Sequence, residues 1–119
     1  MSLETAVVAV LQAQCPRVYP SSAPLDTPRP FVTWEHIGGD PLRYVEGTAA
    51  AQRMALLQVN VWASTKAQAL SLGLAIEDAL CIAVGLSVSP NAALQGRFED
   101  AVEPPVYGTV QDFTVLGTR

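Results

Sequence analysis

The chain has 119 residues, half of them hydrophobic and 15% charged, with eleven acidic against seven basic side chains. That length suits a single domain over residues 1–119 with one core. Binding nucleic acid by neutralising phosphates is disfavoured, because Arg17, Arg29, Arg43, Arg53, Lys66, Arg97 and Arg119 are scattered singly rather than gathered in a basic stripe.

Met1-Ser2-Leu3-Glu4 lacks the positive start of a secretory leader, so export is not expected. Ser2 can cap a first helix whose apolar stripe is Leu3, Ala6, Val7, Val10 and Leu11, and Pro16 should end it, since the residue before a proline avoids helical geometry. Arg17-Val18-Tyr19 reads as a short extended piece, and Pro20 to Pro30, with its prolines, serines and Asp26, as a constrained loop. Phe31 to Ile37 is rich in β-branched and aromatic residues and predicts a strand.

Gly38 to Arg53 is long for a connection inside a compact domain, where loops run to about 4–6 residues. Leu42, Tyr44 and Val45 suggest an extending β-hairpin arm, with Gly47-Thr48-Ala49-Ala50-Ala51 as its mobile tip. An arm without a core of its own packs on something else, and a partner subunit is the simplest candidate. In residues 55–63, Ala55, Leu57, Val59, Val61 and Ala63 alternate with Gln58, Asn60 and Trp62, the period of a strand buried on one face. Thr65 to Gln68 fits a capping box, and Ala69, Leu72, Gly73, Ile76, Ala79, Leu80 and Ala83 recur at helical spacing up to Gly85. The apolar run after Leu80 is broken by Gly85, Ser87, Ser89, Pro90 and Asn91, so no membrane span is expected.

Val84 to Ala93 reads as a connection, Leu94 to Ala101 as a strand, Glu103-Pro104-Pro105 as a turn and Thr109 to Gly117 as a last strand. The order α-β-β-α-β-β predicts an α+β two-layer sandwich, an antiparallel or mixed sheet of about four strands with both helices on one face.

No constellation of residues names a reaction, and neither a catalytic, a cofactor-binding nor a metal site is expected. His36 is the only histidine, with no nucleophile at motif spacing, and it forms no ligand set with Asp40, Cys15 and Cys81. Cys15 and Cys81 read as free thiols. Gly38-Gly39-Asp40-Pro41 lacks the Gly-Lys-Ser/Thr of a phosphate loop, and Glu77-Asp78 diverge on a helix. Glu99, Asp100 and Glu103 read as a solvated edge.

Taken in order, the chain resembles the tail-completion, or tail-terminator and head-tail joining, proteins of bacteriophages and prophages. The resemblance runs through a first helix ending near Arg17-Val18-Tyr19-Pro20, then Pro30-Phe31-Val32-Thr33-Trp34-Glu35 and Gly39-Asp40-Pro41-Leu42-Arg43. It continues in Leu57-Gln58-Val59-Asn60-Val61-Trp62-Ala63, running into the helix Lys66 to Ala83, and in Gln111-Asp112-Phe113-Thr114-Val115. Val84 to Pro105 departs from the family, whose members carry a more charged strand and turn there.

The resemblance implies a structural virion protein, assembled in the host bacterial cytoplasm, that caps the tail tube as a hexameric ring. There it would end tube growth, meet the tail tube protein and the head-tail connector protein, and let DNA pass through the ring lumen, with no membrane contact. Contact residues between copies are expected in the arm and its base: Leu42, Arg43, Tyr44, Val45 and Arg53. The alternative is a small dimeric soluble domain that binds a ligand between helix and sheet near Trp34 and Trp62.

Overall fold

The protein is described by a computed structural model covering residues 2–47, 50–102 and 104–119. Helix α1 (Leu3–Gln14) is opened by Ser2, whose hydroxyl accepts from the Thr5 backbone N–H at 3.2 Å. Cys15 is already extended at φ −150°, as the following proline requires. Leu3, Val7 and Leu11 recur every fourth residue and are buried, so one stripe of α1 faces the sheet.

Strand β1 (Val18–Pro20) runs parallel to β2 (Phe31–Gly38), and β2 pairs antiparallel with β3 (Gln52–Ala63). Helix α2 (Lys66–Cys81) follows β3 at once, with the Thr65 hydroxyl accepting from the Gln68 N–H at 3.1 Å. The helix stops at Cys81, short of Gly85. Ile82 and Val84 beyond it are 81% and 100% exposed, so a further turn would bury nothing.

The chain then adds β4 (Ser87–Pro90), β5 (Gln95–Glu99) and β6 (Val106–Thr118). Strand β6 pairs with β3 along its whole length, from Gln52 opposite Thr118 to Ala63 opposite Tyr107. Its outer edge is shared, β5 covering Val106 to Val110 and β4 covering Phe113 to Leu116. The mixed sheet therefore has six strands in an α-β-β-β-α-β-β-β chain order, against the four strands expected. The added ones are β1 and β4, of three and four residues; each takes its hydrogen bonds from a longer neighbour, so local sequence marks them weakly.

Both helices pack on one face of this sheet, as expected. The core joins Leu3, Val7 and Leu11 of α1 and Ile76 and Leu80 of α2 to Val32, Ala55, Leu57, Val59, Val61, Phe113 and Val115. The alternation read in residues 55–63 is the buried face of β3. Complete burial of side chains such as Phe113 and Leu57 stabilises the fold by about 1.5–3 kcal/mol each.

Candidate functional site

The arm leaves the sheet where β2 bulges between His36 and Gly38. Gly38 and Gly39 take φ of +141° and +127°, and a Cβ at Gly39 would lie 3.0 Å from the Met54 carbonyl oxygen and the Ala55 Cα. Only glycine lets the chain leave β2 this close to the β3 backbone. Beyond it, the Ala50 N–H donates to the Leu42 carbonyl at 3.2 Å and the Gly47 N–H to the Tyr44 carbonyl at 2.9 Å. Arg43 Nη1 donates to the Gly47 carbonyl at 3.2 Å. Among the described residues the arm is a turn tied by these bonds, with Arg43 in a β-bridge; of the tip expected at 47–51, Thr48 and Ala49 lie outside the described residues.

That turn decides which predicted residues project. Tyr44 is 57% exposed, Val45 is fully exposed at the centre of the turn, Arg43 is exposed, and Leu42 is half-buried. Arg53 is separate from the tip. It lies near the start of β3, half-buried, and pairs with the Glu4 carboxylate of α1, which also meets His36 Nε2 at 2.9 Å. Burial pushes the Glu4 carboxyl up, but hydrogen bonds from His36 and Arg53 and the positive charge of Arg53 outweigh it and hold it below its usual value. His36, 5.6 Å from the Trp34 ring, therefore helps tie α1 to the base of the arm.

The two tryptophans expected around one pocket lie on opposite faces of the sheet. Trp34 sits opposite Val59 and packs against the helix-covered core, while Trp62 sits opposite Phe31 on the other face. There Trp62 lines an open cleft of about 870 Å³ under the Ser21–Arg29 loop, with Asn60, Thr33 and Arg97. Trp62 Nε1 donates to the Thr33 hydroxyl at 3.4 Å, and Asn60, 5% exposed, has no hydrogen-bond partner for Oδ1 among the described residues. Among the described residues no group of three or more His, Cys, Asp or Glu is placed to hold a metal ion, and Cys15 and Cys81 are free. Among the described residues no helix is long and apolar enough to cross a membrane.

A comparison with protein families bears on the chain as a whole. A family model described as tail completion protein gp17 matches residues 3–109. The chain belongs to the tail completion protein family. As a tail completion protein it has a structural role in the phage tail. The matched span runs across both helices, the arm, and β1 to β5. Among curated proteins none matches this tail completion protein.

Proposed function

We propose that this protein, a single domain over residues 1–119, caps the tail tube as a homo-oligomeric, hexameric ring. In that place it ends tube polymerisation and gives the head-tail connector protein its docking surface, while DNA passes through the lumen. The observation that carries this is the arm. Its turn holds a fully exposed Val45 and a half-exposed Tyr44 away from a core that is complete without them. An apolar pair held out from the core, with no partner among the described residues of its own chain, suits contact with another copy. The interface residues on this reading are Leu42, Arg43, Tyr44 and Val45, with Arg53 holding the arm's base to α1 through Glu4. The net charge of −4 suits a passage that DNA must not adhere to.

The test is tube growth. Purified tail tubes elongating from their own subunits are expected to stop when this protein is added and to carry it at one end. Tubes that grow at an unchanged rate with the protein free in solution would overturn the proposal.

A further inference from the structure

The end of the sheet far from the arm holds an apolar groove. Lys66 and Leu70 of α2, Leu94, Gly96 and Phe98 of the β5 segment, and Tyr107 of β6 enclose about 480 Å³ there. The Phe98 and Tyr107 rings lie 4.7 Å apart as its wall, yet Phe98 is 55% and Leu70 47% exposed. Apolar side chains this open are unfilled by their own chain.

We propose that this groove receives the arm tip of a neighbouring copy, Tyr44 and Val45 filling the apolar part and Glu46 meeting Lys66. This deepens the ring reading and rests on it. Three observations support it. The arm of the same chain cannot reach, because it joins β3 at Gln52 whereas the groove lies by Ala63 and Tyr107. The eleven steps along β3 from Gln52 to Ala63, at about 3.3 Å each, put roughly 36 Å between them.

Second, the shapes are of opposite kind: a turn with Val45 and Glu46 at its centre against a hollow with aromatic and leucine walls. Third, the charges match. Glu46 stands beside the apolar pair on the tip, and Lys66 stands at the groove's rim in a helical turn with no acidic side chain. Among the described residues neither forms an ion pair within the chain. A contact between different surfaces at opposite ends is head-to-tail, and such contacts propagate into a ring when the rotation closes.

The test places cysteines at Val45→Cys and Phe98→Cys in the full chain, with exposed Cys81 changed to serine, and treats the protein with a short bis-maleimide. The expected result is a ladder of linked subunits from the double variant and none from either single one. A second set reverses the charges: Glu46→Lys and Lys66→Glu should each raise the half-assembly concentration about tenfold, and the two together should restore it. Rings that form without a ladder, with both reversals silent, would overturn the docking and leave the ring standing. Absence of any assembly, free or on tail-tube ends, with no ladder, would overturn docking and ring together.

Discussion

Replacing Val45 with aspartate separates assembly from folding. In the single chain Val45 is fully exposed and touches no core residue, so the change should alter stability by no more than about 0.5 kcal/mol. For a domain of this size that is a melting shift of about 2 °C. In the proposed docking the same side chain would be buried against the neighbouring copy. Its loss removes about 1.5–3 kcal/mol of apolar burial per contact, before the cost of enclosing a carboxylate. Each 1.4 kcal/mol is about tenfold in affinity, so every contact weakens at least about tenfold, and each subunit of a ring makes a contact on both sides. Sedimentation velocity across a concentration series, paired with thermal melting of the dilute protein, reads both quantities. A variant that melts normally and assembles like the parent would refute the arm as an interface. One that fails to fold would show that the turn belongs to the core.

Glu4→Gln should lower stability at neutral pH by about 1 kcal/mol, since it weakens the link from α1 to His36 and Arg53. Because the folded state holds this carboxyl below its ordinary value of 4.5, the contribution is present above that pH and fades as pH falls through the folded value; melting curves of parent and variant should converge in acid. Gly108→Ala should cost about 2 kcal/mol, as a Cβ there would sit 2.7 Å from the Val61 carbonyl oxygen and 3.0 Å from the Trp62 ring. A urea midpoint equal to the parent's would show that β3 and β6 are less closely packed. Reversing Glu99, Asp100 and Glu103 to lysine should slow DNA ejection from infectious particles; unchanged ejection would remove the lumen role of the acidic charge. Glu99 and Asp100 are exposed, and Glu103 lies outside the described residues.

What the sequence makes legible is what is encoded locally. The alternation of β3, the Ser2 and Thr65 caps and the proline after Cys15 each act within a few residues, and each stands in the structure where the pattern puts it. Strands β1 and β4 are different. Val18–Pro20 and Ser87–Pro90 are short and proline-bearing, and only the edges of β2 and β6 make them strands. Thr109 to Gly117 extends to Val106–Thr118 for the same reason, because β3 and β5 supply partners beyond the apolar alternation.

The site divides in the same way. The overlong connection after Ile37 marks the arm, and Tyr44 and Val45 are its exposed residues. Arg53 reads as one more isolated base until folding brings Glu4 to it from 49 positions away. The groove was the harder part. Phe98 and Tyr107 face each other only through the β5–β6 register, and the single trace in sequence is the spacing of Leu94, Gly96 and Phe98 on one side of a strand.

The most direct test of the account is the native mass of the purified protein across a concentration series, in the presence and absence of tail tubes, with negative-stain images of the largest species. Closed hexameric rings, formed free or on tube ends, are the predicted result. A stable dimer, or a monomer that stays monomeric even with tube ends available, would contradict it.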